Sequence, residues 1–198
     1  MDERARRIVE TAVELAEKDG FQAVRLRDIA AQADVALGTV YRRFKSKEDI
    51  LLAALGLEAG SLRERLLASV LATEGSTPLE RVSSLFTHAT KGLCRRPNLA
   101  RALLRAVASA DPDLVTKVAA FHSTITAMVV PCLRGTVDDE SSPSPAEAEV
   151  ALLLQQVWFA TLVGWAAGLH EQEDIYLQME RAAALLLRGM DIDTEQRP

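Results

Sequence analysis

Cys94 and Cys132 are the only two thiols in the chain, and they stand far apart with no CxxC spacing. That argues against a disulfide scaffold and for reduced, half-buried thiols in a cytoplasmic protein. Sustained period-2 alternation is missing, and so are glycine-rich hairpins, which leaves little room for a β-rich fold. There is no HExxH, no metal-ligand spacing and no P-loop, and the three histidines, His88, His122 and His170, are scattered. An enzyme, a metal centre or a bound cofactor would have nothing to stand on, so none is expected. The N-terminus, MDERARRIVE, is charged from residue 2 and has no apolar segment of the kind a secretory signal carries. Lysine and arginine are absent from residues 135–180. That gap decides how to read the long apolar run VALLLQQVWFATLVGWAAGL at 150–169. Its length permits a membrane span, but a span takes cationic anchors at its flanks. The run is instead expected to be a helix buried on all sides, one face on its own domain and the other on a partner, with no membrane.

What is present is a soluble composition, 48% apolar and 26% charged over 198 residues, enough for one domain or a small domain joined to a larger one. Charge is uneven. Residues 1–50 hold ten Lys/Arg and ten Asp/Glu, so the whole net charge of -5 comes from the rest. Within 25–47 there are six Lys/Arg against Asp28 and Asp34. A local positive surface on an otherwise acidic chain is the footprint expected of a phosphate-contacting face, although charge alone is better read as a solvated basic face.

The periodicity is helical nearly throughout. It predicts an all-α fold of about nine helices, three in front and six behind. Helices are expected at 3–18, 26–32 and 37–43, then a long one opened by the S-x-x-D cap Ser46–Asp49 and running to about 72. Caps or prolines at Thr77, Pro97, Asp111 and Ser144 open further helices. Pro131 is expected to kink or end the helix opened at 112, and Gly189 to stop the last one. The acidic, Ser/Pro-rich stretch 135–143 reads as a mobile loop, and the tail 191–198 as frayed.

In LRDIAAQADVALGTVYRRF the two short front helices form a helix-turn-helix. Ile29, Ala30 and Ala33 give the first a core face, and Asp34 tolerates the left-handed conformation of the turn. Val35, Val40 and Phe44 face inward, which leaves Leu37, Gly38, Thr39, Arg42 and Arg43 outward. Gly38 costs about 1 kcal/mol relative to alanine in a helix. It is explained either by close approach to an outside surface or by crowding against a neighbouring helix. Gly20-Phe21, Ile29-Ala30, Gly38-Thr39-Val40-Tyr41, Phe44, Ser46-Lys47-Glu48 and Leu51 then resemble the DNA-binding domain of TetR-type transcriptional regulators. Arg25 and Ala36 depart from that pattern, standing where the family usually has serine or threonine caps, and Asp34 stands where glycine is usual.

The resemblance implies a helix-turn-helix DNA-binding domain at 1–46 and a ligand-binding and dimerisation domain at 47–198. It implies a homodimeric regulator, most often a repressor, that binds double-stranded palindromic operator DNA and is released by a small hydrophobic effector. Arg25, Arg27, Leu37, Gly38 and Thr39 would face the groove. Arg27 and Thr39 would reach base edges, Tyr41, Arg43 and Lys47 would hold phosphates, and Arg42 would lie near either. An effector pocket would be lined by Phe86, Leu93, Leu103, Leu104, Val107, Phe121, Ile125, Met128, Trp158 and Leu162, with His122 as a hydrogen-bonding group. Any one of these taken singly is better explained as ordinary core. The segments RRPNLARALLRAVASADPDL and VWFATLVGWAAGL are also similar to repressors of steroid and cholesterol catabolism, which answer to steroid acyl-CoA thioesters. Val107-Ala108-Ser109 is small where that branch carries aromatics. A homodimer interface is expected at Gly164, Trp165, Gly168, Leu169, Tyr176, Met179, Ala183, Leu186 and Leu187, with the two glycines allowing close helix approach. The competing reading is a helical homodimer that binds ligand or protein without DNA.

Overall fold

In a computed structural model, which describes residues 1–195 apart from 73, 74, 110, 138 and 140, the expected all-α fold is found. Nine α-helices occur among the described residues: α1 (Glu3–Asp19), α2 (Leu26–Gln32), α3 (Leu37–Arg43), α4 (Lys47–Leu71), α5 (Pro78–Cys94), α6 (Pro97–Val107), α7 (Val115–Arg134), α8 (Pro145–Ala166) and α9 (Gln172–Glu195). Short 3-10 turns occupy Phe21–Ala23 and Pro112–Leu114. Two compact units form. One joins Met1–Ala59 to Leu93–Phe121; the other joins Gly60–Gly92 to His122–Pro198. Helices α4 and α7 each begin in the first unit and end in the second.

In the first unit, α1 is capped by Asp2, whose carboxylate accepts from the Ala5 N–H at 3.0 Å. It stops at Gly20, where φ is 77°. Its Ile8, Ala12 and Ala16 are fully buried. The helix-turn-helix forms although neither short helix has a side-chain cap: Arg25 and Ala36 make none. Each missing cap forgoes about 1 kcal/mol. Burial of Ile29 and Val40 offsets this, at about 1.5–3 kcal/mol for each side chain. Asp34 takes φ 50°, the one positive value outside glycine among the described residues. Arg7 of α1 donates to the carbonyls of Ala33 and Asp34, and so holds the turn from outside it. Helix α6 packs on α1, where Asn98 donates to the carbonyls of Glu17 and Lys18 at the end of α1.

In the second unit, α8 opens with the expected capping box of Ser144 and Glu147. Helices α7 and α8 are long and apolar enough to cross a bilayer by length and composition, but α8 buries one whole face, including Leu154, Trp158 and Leu162. It ends at Ala166 rather than at 169. Gly168 turns the chain with φ 77°, and the Leu169 N–H reaches back to the Gly164 carbonyl at 2.9 Å. Helix α9 continues through Gly189 to Glu195, because one glycine costs only about 1 kcal/mol and does not by itself end a helix. The last three residues of the tail, 196–198, lie outside the described residues.

Two further expectations are corrected. The helix expected from 112 opens on a 3-10 turn, Pro112–Leu114, and Pro131 does not end it: α7 runs on to Arg134. Arg81 finishes it, donating from Nε to the Cys132 carbonyl at 2.7 Å and from Nη2 to that of Leu133 at 3.2 Å. A guanidinium there satisfies carbonyls with no helical donor and suits the negative helix end. The segment after α7, read as mobile, is pinned at its described residues. Arg134 forms a two-pronged pair with Glu147 at 2.7 and 2.9 Å and donates to the carbonyls of Ser141 and Ser142. Residues 138 and 140 of that segment lie outside the described set.

Candidate nucleic-acid interface

Helix α3 has a short apolar inner side, with Val40 buried on it and Phe44 buried just past it. Its outer side carries Gly38, Tyr41 and Arg42 exposed, and Leu37, Thr39 and Arg43 half-buried. Of the two explanations for Gly38, crowding is removed. A Cβ built there meets nothing within 4 Å, so nothing inside the chain demands glycine. Tyr41 is 58% exposed, which likewise removes core packing as its reason. Arg25 and Arg27 stand exposed at the start of α2, which packs on α3. Neither they nor Arg42 enter an ion pair among the described residues.

The cations expected at phosphates behave differently, because they already have oxygen partners. Arg43 pairs with Asp2 at 2.5 Å. Lys47 donates to the Phe21 carbonyl at 3.3 Å, and its ammonium stands 3.9 Å from the centre of the Phe21 ring. The Arg105 guanidinium of α6 lies 4.6 Å from the same ring. Phe21 is half-exposed and shared by two cations. Lys45, absent from the sequence-predicted set, donates to Asp113 at 2.8 Å.

The residues expected around an effector are divided between the two units. Leu103, Leu104 and Val107 are buried on α6 in the first, together with half-buried Leu93 and Phe121. Phe86, His122, Ile125, Met128, Trp158 and Leu162 belong to the second. There the Phe86 and Trp158 rings are tilted at 5.6 Å. The Trp158 indole N–H donates to the Thr90 hydroxyl at 2.9 Å. Buried Gln155 sits with its amide nitrogen 2.5 Å from His122 Nδ1, and the His122 ring meets Phe159 edge-on at 5.4 Å. Burial holds His122 below its ordinary pKa, which keeps the imidazole neutral at neutral pH. This polar layer in an apolar core was missed in sequence, although Gln155 and Thr161 interrupt the apolar run of α8 and signal it. A separate apolar cleft of about 360 Å³ is lined by Arg63, Leu67, Ala68, Leu71 and Val137, none of them anticipated.

The residues expected at a subunit interface also divide. Trp165, Met179 and Ala183 are buried within the chain's own core. Gly164 packs against its own chain: a Cβ there would stand 2.5 Å from His170 Nε2. Gly168 is outside α8 altogether. Leu169 is exposed, and Tyr176, Leu186 and Leu187 are half-buried. Among the described residues of α8 and α9, two helices in contact, the large apolar side chains left in solvent are Leu152, Leu153 and Val163 on α8 and Leu177 and Leu185 on α9. Sequence reasoning missed this face because α8 is apolar on every side and its inner and outer stripes look alike.

Comparison with known proteins agrees with this geometry. A family model for bacterial regulatory proteins of the tetR family matches residues 8–54, and one for the tetracyclin repressor-like C-terminal domain matches 75–186. The HTH-type transcriptional repressor KstR of Mycobacterium tuberculosis is 30% identical over 96% of this chain and 83% of its own length. That of Rhodococcus jostii is 32% identical over 93% and 83%. Among solved structures, a TetR transcriptional regulator from Rhodococcus sp. RHA1 superimposes with TM-score 0.76 at 25% identity, covering 93% of this chain and 94% of that one. Thermus thermophilus FadR, a TetR-family repressor in complex with lauroyl-CoA, gives TM-score 0.72 at 25% identity over 94% of each chain. Matched at both ends by the family's models and along nearly its whole length by its repressors, the chain belongs to the TetR family of bacterial regulatory proteins and is a DNA-binding transcriptional regulator rather than an enzyme.

Proposed function

We propose that this regulator is a repressor that binds a palindromic operator as a homodimer and is released by an acyl-CoA-type effector with a large apolar body. It works in the cytoplasm, where its DNA is. The exposed, uncrowded Gly38 on α3 supports the DNA side of the reading: with no neighbour in contact, its missing side chain suits the approach of an outside surface. Arg27 and Thr39 reach base edges, since arginine pairs bidentately with guanine and threonine offers a methyl to thymine. Leu37 and Gly38 lie against the groove. Tyr41, Arg42, Arg43 and Lys47 hold the backbone, and Arg25 adds a cation beside them. A head at 1–46 thus reads DNA, while 47–198 senses effector and pairs with the second subunit.

The effector side rests on the resemblance of the chain's segments to repressors of steroid and cholesterol catabolism, on the KstR repressors that match over nearly the full chain, and on the FadR structure with its lauroyl-CoA. Phe86, Ile125, Met128, Trp158 and Leu162 supply apolar lining, and the Gln155–His122 pair supplies hydrogen-bonding groups inside it. The dimer joins the exposed α8 and α9 faces about a twofold axis, so that two heads meet half-sites about 34–36 Å apart or a multiple of one turn. The effector shifts the balance between states only by its difference in affinity for them, and operator must weaken effector binding by the same factor. Calorimetry of steroid and fatty acyl-CoA thioesters, with and without an operator duplex selected from a random library, tests this. Tighter binding without the duplex is expected. Equal affinities for every thioester would defeat the release mechanism.

A further inference from the structure

The stretch 45–49, from the loop between α3 and α4 into α4, and the stretch 113–117, from the turn before α7 into α7, are joined by two ion pairs of opposite sense. From the loop, Lys45 reaches Asp113 of the Pro112–Leu114 turn at 2.8 Å. From the first helical turn after the loop, buried Asp49 pairs with Lys117 of α7. The same Asp49 carboxylate accepts the Lys45 backbone N–H at 2.9 Å, and the Asp49 N–H is held by the Ser46 hydroxyl. The backbone under Lys45 is therefore fixed, and only its side chain is free to change partner. That side chain and its acid are both mostly in solvent, at 65% and 63% exposure. A pair so exposed is weak and easily exchanged. The pair on buried Asp49 is the firmer of the two.

We propose that Lys45 is a DNA-phosphate contact held in reserve by Asp113, whose carboxylate occupies the ammonium in the free protein and yields it to a backbone phosphate on the operator. Lys45 lies two residues from Arg43 and two from Lys47, so it continues the row of cations on which the DNA reading rests. Asp113 stands as an internal stand-in for phosphate. Arg43 is held in the same manner by Asp2, but Asp113 differs in its place: it belongs to the turn between α6 and α7. The position of that turn therefore sets how readily Lys45 is released, and a shift of the turn registers at the DNA face without moving the recognition helix.

The exchange is tested with Asp113→Asn, Lys45→Ala and the double variant, on an operator duplex selected from a random library by the wild-type protein, across a salt series. Removing the competing acid should raise affinity about two- to fivefold across the salt series when Lys45 is present. The gain should shrink toward nothing in the Lys45→Ala background. Lys45→Ala alone should lower the salt slope by about one, and Asp113→Asn should leave the slope unchanged. Loss of affinity in Asp113→Asn would show that the acid buttresses Lys45 instead of withholding it. An equal gain with and without Lys45 would reduce Asp113 to a general repulsive charge. Either result overturns the exchange. Thermal unfolding of each variant separates these effects from loss of fold. If the wild-type protein selects no sequence, the DNA reading itself fails and the exchange falls with it.

Discussion

His170 closes over Gly164: a Cβ on that glycine would lie 2.5 Å from Nε2 of the imidazole. The close approach that a small residue permits at this point is thus within the chain, at the turn from α8 to α9. Gly164→Ala gains about 1 kcal/mol of helix propensity but must push the ring aside, so it should be near neutral in urea unfolding. In a His170→Ala background the same change should stabilise by up to about 1 kcal/mol. Equal effects in both backgrounds would show that the ring and the glycine are not coupled.

The subunit interface is expected on the outer stripe instead. Leu185 is 68% exposed and Leu177 44%, so the isolated subunit loses little by their replacement. Leu152→Glu combined with Leu185→Glu should leave chemical stability of the subunit within about 0.5 kcal/mol while halving the mass seen by light scattering. Met179→Ala, by contrast, empties a core position, 2% exposed, and should cost about 2–5 kcal/mol. A dimer that survives the double glutamate change would place the interface elsewhere.

Gly38→Ala separates folding from function. Alanine fits the space and favours the helix, so the protein should become more stable by up to about 1 kcal/mol. On the proposed docking the added methyl stands against the groove, so operator affinity should fall at least several-fold. Arg27→Ala should cost about 1–3 kcal/mol and relax sequence preference, whereas Lys47→Ala should weaken all sequences alike. Fluorescence anisotropy on operator and scrambled duplexes reads both. A Gly38→Ala variant that binds operator as well as wild type would remove the groove from this site.

Acid stability reports the Arg134–Glu147 pair. The guanidinium beside Glu147 holds its carboxyl down, from 4.5 to about 2. A depressed folded-state pKa means that its stabilisation is present above about pH 4.5 and is lost as pH falls toward about 2. Both side chains are mostly buried, at 13% and 16% exposure; with discount for the solvent they keep, the effect is about 1–2 kcal/mol. Glu147→Gln should lower neutral-pH stability by that amount and flatten the pH 5 to pH 2 limb of the unfolding curve. A limb of unchanged steepness would assign acid lability to other carboxylates.

The helix-turn-helix was legible residue by residue. Its determinants are local: apolar spacing over two short helices, an aspartate able to take φ 50° at the turn, and a dense run of family-specific positions. Capping boxes and most helix starts were local too. What tertiary structure alone decided was which face of an apolar helix looks inward. Val163 and Leu162 are adjacent and chemically alike, yet one is exposed and the other buried, because burial depends on where α9 lies. The same holds for charge. Nothing in the sequence pairs Lys45 with Asp113, 68 residues away, or sets Arg81 under the end of α7. Periodicity encodes what a helix is, but a partner distant along the chain is chosen only by the packed fold that brings the two together.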